Sequence, residues 1–153
     1  MKKIKNVTIN TDSGIYKVLE NEVSGSGKKL MLAMFKHMTA DMNHIIVGGG
    51  TLDILCAETG LSESQVRNKT SELSRLHLIE PTGLIRAEYI VNPVLVIKGN
   101  SVAVWKFYGE LERQRGNTTA TLIYEPGVVL KGEDLPLTDD DYMKIGKEAK
   151  YVK

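Results

Sequence analysis

Residues Thr51 to Ile79 read TLDILCAETGLSESQVRNKTSELSRLHLI. Leu52, Leu55 and Cys56 recur at helical spacing, with the small Ala57 beside them, so the first part is an amphipathic helix. Thr51 is placed to cap its start. Gly60 is placed to end it, because the residue past a helix end often needs the left-handed backbone. Ser62-Glu63-Ser64-Gln65 then fits a capping box, in which the serine oxygen accepts from the third amide and the glutamine reaches back to the first. A second helix over residues 63–77 turns Val66, Thr70, Leu73 and His77 to one side, with Leu76 at the margin. The opposite side carries Ser64, Arg67, Asn68, Ser71 and Arg75. That polar side is either an ordinary solvated surface or a set of side chains that reads base edges in DNA.

The flanking sequence bears on the choice. Upstream, Leu30, Met31, Met34, Phe35 and Met38 form a helical apolar stripe over residues 28–40. Ser26 or Gly27 is its expected start, and Asp41-Met42-Asn43 its expected end. His44 to Val47 reads as a short strand closed by Gly48-Gly49-Gly50. Further upstream, IYKVL at residues 15–19 fits a strand or a helix. Downstream, residues 78–91 read as a hairpin about Pro81-Thr82-Gly83, and Asn92-Pro93 stops its second strand. Val94 to Ile97 is one more apolar run, ended by Gly99-Asn100. A helix is expected over Ser101 to Arg115. It points Val102, Trp105, Tyr108 and Leu111 one way, with Val104 and Phe107 widening the face. It either completes the core or pairs with a second copy of the chain. After Gly116 a hairpin (Thr118 to Tyr124 with Val128 to Leu130) and a short helix over 139–149 are expected. The resulting organisation is an arm (1–25), a central domain (26–99), a C-terminal helix (100–116) and a tail (117–153).

Helix, short strand, helix, tight turn, helix, hairpin is the element order of a winged helix-turn-helix domain, within the α+β class. Such a domain projects its last helix into a major groove about 12 Å wide. Arg67 and Asn68 are of the types that bond bidentately to guanine and adenine edges. Ser62 and Ser64, at a helix start, suit phosphate oxygens. Lys69 and Ser71 flank the face together with Arg75, and Arg86 lies on the hairpin, where a wing meets backbone or minor groove. Winged domains also serve as protein-interaction modules without DNA, which is the competing class.

Bulk properties set the frame. The chain has 153 residues, 42% apolar and 25% charged, which suits one domain with a core and an appended element. No apolar run approaches the roughly 20 residues that cross a bilayer, and MKKIKNVTIN lacks the apolar core of a signal peptide. A lone Cys56 makes no internal disulfide and fits a reducing cytoplasm. The net charge of +1 gives no basic tail, so a DNA binder must gather its cations by folding. A dimer would double the cations presented and set two half-sites about one helical turn apart.

Three segments carry a resemblance. YKVLENEVSGSGKKLMLAMFKHMTADMNHIIV (16–47), TLDILCAETGLSESQVRNKTSELSRLHLIEP (51–81) and YIVNPVLVIKGN (89–100) resemble the RepL family of plasmid replication proteins. The most specific piece is IVNPVLVIKGN, placed just after the wing, and the match spans about residues 16–112. The chain differs from the family pattern in its Gly48-Gly49-Gly50 linker and its short Glu80-Pro81-Thr82-Gly83 wing. The resemblance implies a plasmid-encoded protein that binds double-stranded origin DNA at repeated sites and helps to start replication with host replication proteins. A plasmid- or phage-borne transcriptional repressor using the same domain is the alternative.

Other motifs point to no chemistry. Gly25-Ser26-Gly27-Lys28 lacks the first glycine and the Ser/Thr of a phosphate-binding P-loop. His37, His44 and His77 have no metal-ligand spacing, and no His-x-His pair of a DNA-nicking initiator is present. Asp139-Asp140-Asp141 reads as the acidic start of a helix. No catalytic residue, metal or cofactor is expected.

Overall fold

The structure, a computed structural model, describes residues 6–83 and 85–114, with side chains as far as residue 111, and two short strands beyond. The fold is α+β. In chain order it runs β1 (Val7–Ile9), α1 (Gly14–Glu22), α2 (Gly25–His37), β2 (His44–Ile46), α3 (Gly49–Thr59), α4 (Glu63–Arg75), β3 (Ile79–Pro81), β4 (Glu88–Val91), β5 (Val96–Lys98) and α5 (Ser101–Gln114). The last two strands, β6 (Thr119–Thr121) and β7 (Val129–Lys131), pair antiparallel where a tail hairpin was expected. The helix expected over 139–149 lies outside the described residues.

Helices α2, α3 and α4 pack on one another around part of the core. Leu30, Met31, Met34 and Phe35 of α2 meet Leu52 and Leu55 of α3 and Val66 and Leu73 of α4, all buried. Each such side chain contributes about 1.5–3 kcal/mol by leaving water. The breaks between helices are local. Gly60 takes the left-handed backbone at φ 74° and its amide closes on Cys56 O at 2.9 Å. Ser62 then opens α4 with the full capping box: its Oγ accepts from Gln65 N at 3.2 Å and its amide donates to Gln65 Oε1 at 2.9 Å.

Several boundaries differ from those the sequence suggests. Helix α2 begins at Gly25, capped by Ser24, and ends at His37, because Thr39 N donates to His44 O at 2.8 Å and draws the chain into a turn. Thr51 is not the cap of α3; Gly48 holds that position and no side chain caps it. Helix α4 stops at Arg75, and His77 is not an inward residue of it. Its backbone is left-handed (φ 65°), its side chain is exposed, and the Leu78 amide returns to Leu73 O at 3.0 Å. Cys56 is only half-buried against the core.

Part of the stretch expected to form an N-terminal arm is packed into the same core. IYKVL is helical within α1, and Ile15, Leu19 and Val23 join the cluster. Strand β1 pairs antiparallel with β5, in the register Thr8 to Ile97. The other sheet has the order β2-β4-β3, all antiparallel, with Ile45 opposite Tyr89 and Glu80 opposite Ile90. Helix α5 buries Val104, Trp105, Tyr108 and Leu111 within the single chain, and the Tyr108 hydroxyl donates to Glu80 Oε2 at 2.8 Å.

The two sheets are joined by Asp41–Asn43 rather than by strand pairing. Asp41 N donates to Lys98 O at 2.8 Å, and Asp41 Oδ1 accepts from Asn100 N at 2.7 Å. Gly99 turns between these contacts at φ 88°, and a Cβ there would lie 2.9 Å from Asp41 N as well as against its carboxylate. Gly99→Ala is therefore expected to destabilise the fold by about 2 kcal/mol, from the left-handed backbone and the clash together. A urea midpoint unchanged by the substitution contradicts this account.

Candidate nucleic-acid interface

Helix α4 carries its two faces as the spacing requires. Val66, Thr70 and Leu73 are buried, and the Thr70 hydroxyl is satisfied by Val66 O at 2.7 Å. Ser64, Arg67, Asn68, Ser71 and Arg75 are exposed on the other side. Arg67, Asn68 and Arg75 make no side-chain hydrogen bond or ion pair among the described residues, while Ser71 Oγ rests on Arg67 O at 3.3 Å.

The charge of this face is set by where Glu72 goes. It is one of two acids on the helix, and it turns inward. Its Oε1 accepts from both the amide and the hydroxyl of Ser24, each at 3.2 Å, so the carboxylate sits on the N-terminus of α2. A negative charge is favoured there by the helix dipole. Burial opposes ionisation of Glu72, but the Ser24 amide and hydroxyl and the Lys69 ammonium outweigh it, and the carboxyl titrates below the ordinary glutamate range. The outer face is left with guanidinium, amide and hydroxyl groups, Glu63 at the helix start excepted.

Lys69 does not stand free beside that face. Its Nζ lies 3.4 Å from Glu72 Oε2 and the side chain is half-buried, so its charge is largely answered within the protein. The helix start is also more occupied than a bare N-terminus. Ser62 N, Gln65 N and Val66 N are all bonded within the first turn, which leaves the amides of Glu63 and Ser64. Ser62 Oγ accepts from Gln65 N and keeps its own O–H to donate.

The hairpin follows α4 directly, with β3 packed against the helix. Its connection is longer than Pro81-Thr82-Gly83 alone: β4 starts at Glu88, so Ile85 and Arg86 sit in the connecting segment rather than in a strand. Both are exposed, and Arg86 has no ion pair among the described residues. The base of the hairpin is tied by buried polar groups. Thr82 Oγ1 donates to Glu88 Oε1, Thr82 N donates to Glu88 O at 3.0 Å, and Glu88 Oε2 meets His44 Nε2 of β2 at 2.9 Å. Burial opposes the Glu88 charge, yet Thr82 and His44 outweigh it and the carboxyl titrates low.

These low carboxyls give a pH prediction. A folded-state pKa below the unfolded value contributes stability above the ordinary glutamate pKa of about 4.3, lost as pH falls through the folded value. Unfolding midpoints are expected to fall on acidification below about pH 4.3, and Glu88→Gln flattens that fall. An equal acid slope in the variant refutes the assignment.

The arginines are the residues that the fold gathers. Arg67, Arg75 and Arg86 are all the arginines with described side chains, all are exposed, and all lie on α4 or the hairpin tip. By contrast Lys36 is paired with Glu58 at 3.0 Å and Lys98 donates to Lys36 O. Sequence reasoning missed Ile85, which it placed in a strand, and the inward turn of Glu72, which has no local signal. Among the described residues no group of three His, Cys, Asp or Glu side chains could hold a metal ion, and no helix is long and apolar enough to cross a membrane. No family model, curated protein or solved structure matches the chain.

Proposed function

We propose that the chain is a winged helix-turn-helix protein that recognises a particular sequence in double-stranded DNA. Helix α4 lies in the major groove and the β3–β4 hairpin is the wing. One observation carries the reading: three exposed arginines without acidic partners share α4 and the adjoining hairpin, while Glu72 is drawn away from them to the start of α2. Arginine forks suit guanine edges and phosphates alike, and Asn68 beside Arg67 supplies the amide that suits adenine. Ser64 and Ser71 stand on the same face as shorter polar contacts. Ser62 donates to phosphate through its O–H. Lys69 acts at most as a weak flanking charge because Glu72 holds it.

The biological role rests on the resemblance to the RepL family. It is the start of plasmid replication, with the protein bound to repeated origin sites together with host replication proteins. The test is selection of duplexes from a randomised pool by the full chain at moderate salt, followed by a search for directly repeated copies of the selected site near the coding sequence. Enrichment of one sequence, and replication of a plasmid carrying only the repeated segment, support the proposal. An unenriched pool removes the DNA-reading function. An enriched promoter site without origin activity replaces initiation with repression.

A further inference from the structure

The hairpin tip departs from what folding alone requires. Ile85 is 60% exposed, the most exposed large apolar side chain among the described residues, ahead of Ile54 at 45% and Ile46 at 41%. It is followed directly by Arg86, whose guanidinium has no acidic partner among the described residues. The support beneath this pair is firm. Val47 N donates to Ala87 O at 2.8 Å, Thr82 N donates to Glu88 O at 3.0 Å, and the Thr82–Glu88–His44 chain, buried at Thr82 and Glu88, ties the hairpin to β2. Ala87 holds a left-handed backbone, φ 63°, which bends the chain between the tip and β4. Isoleucine is stiff at χ1 because it is β-branched. The tip is thus a short apolar side chain with a cation next to it, on a base that is already ordered.

We propose that Ile85 is a wedge: it inserts between two base pairs from the minor groove, with Arg86 held along the groove beside it, and so unstacks one step and bends the duplex. The inference rests on the DNA-reading function above. Charge complementarity selects the occupant. An unanswered guanidinium matches a groove whose walls are phosphates and whose floor carries acceptor edges, and the apolar side chain beside it matches the base faces that become accessible when a step opens. Apolar wedges that enter minor grooves open base steps and bend DNA toward the major groove. The cost is least where the step is already weakened by a mismatch or is a flexible pyrimidine–purine step. Ile85 then acts as a specificity residue for deformable sequence without bonding to any base edge.

The experiment uses the full chain, the duplex that it selects from a randomised pool, and the same duplex with single mismatches placed along the segment flanking the α4 contacts. End-to-end energy transfer reports bending. The wild type is expected to bring the duplex ends together on binding, and to bind one mismatched probe about tenfold more tightly than the intact one. Ile85→Ala is expected to keep the preference for the bases that face α4 but to lose the preference for a deformable flanking step, the bend and the mismatch gain. Ile85→Met, long and apolar, restores the bend. Arg86→Ala weakens binding to intact and mismatched probes alike. A selected duplex that stays straight in the wild-type complex, a bend undiminished in Ile85→Ala, or a change confined to self-association of the chain overturns the wedge and leaves the DNA-reading function standing. Failure to select any duplex removes both.

Discussion

Asn43→Ala is expected to lower the unfolding free energy by about 3–5 kcal/mol, which is a large share of the roughly 5–15 kcal/mol that holds most domains together. The side chain is fully buried. Its Nδ2 donates to Val91 O at 3.1 Å and Val96 O at 2.8 Å, and its Oδ1 accepts from Lys98 N at 3.0 Å. One amide thus closes the gap between the β2-β4-β3 sheet and the β1-β5 pair. Alanine leaves these backbone groups without that partner, at about 1–3 kcal/mol for each group not rescued by water. The backbone adds to the loss. Asn43 sits at φ 52°, where asparagine is tolerated and alanine pays about 1–2 kcal/mol. Asn43→Gly relieves the second effect alone, so it should recover about 1 kcal/mol of the loss. For a chain of this length the drop corresponds to a thermal midpoint about 10 °C lower. Equal midpoints for parent and Asn43→Ala would show that the two sheets are held together some other way.

Asn43 also marks where sequence reading stops. Features written within one helical turn were legible: the Ser62–Gln65 capping box, the Gly60 stop, and the buried row of Val66, Thr70 and Leu73 all form as their spacing suggests. Each is decided by partners three or four residues away. Asn43 looked like a helix terminator, yet its partners lie 48 to 55 residues off, on strands whose pairing no local pattern specifies. Glu72 is similar. At its position on α4 it reads as one more solvated acid, but its partner is Ser24, 48 residues earlier. That single contact decides the sign of the candidate interface and the commitment of Lys69. The end of α4 departs from the helical period for a related reason: His77 extends that period, but Asn92 Nδ2 reaches back to His77 O at 3.0 Å and helps to hold the turn instead. The candidate face itself needed only the helical period, so Ser64, Arg67, Asn68, Ser71 and Arg75 were placed together by spacing alone. The hairpin tip was not, because β4 begins at Glu88 and leaves Ile85 and Arg86 outside any strand.

Arg67→Ala combined with Asn68→Ala is expected to weaken binding to the selected duplex by about 3 kcal/mol, roughly 150-fold. Each good bidentate contact to a base is worth about 1–3 kcal/mol, and neighbouring contacts add imperfectly, so the lower half of the summed range is the better expectation. Binding to a scrambled duplex should fall much less, because only one cation is removed and non-specific affinity follows the count of phosphates neutralised. Fluorescence anisotropy on both duplexes at one salt concentration separates the two losses. Equal losses on both would make this face a phosphate contact rather than a reader of bases. Asn68→Ala alone gives the sharper control. Asparagine costs an exposed helix interior about 0.5 kcal/mol relative to alanine, and Asn68 makes no side-chain hydrogen bond among the described residues to offset that. The single variant should therefore gain slightly in stability while losing discrimination at one base pair. A variant that lost stability as well would put Asn68 in the service of the fold, and the groove-facing assignment of α4 would go with it.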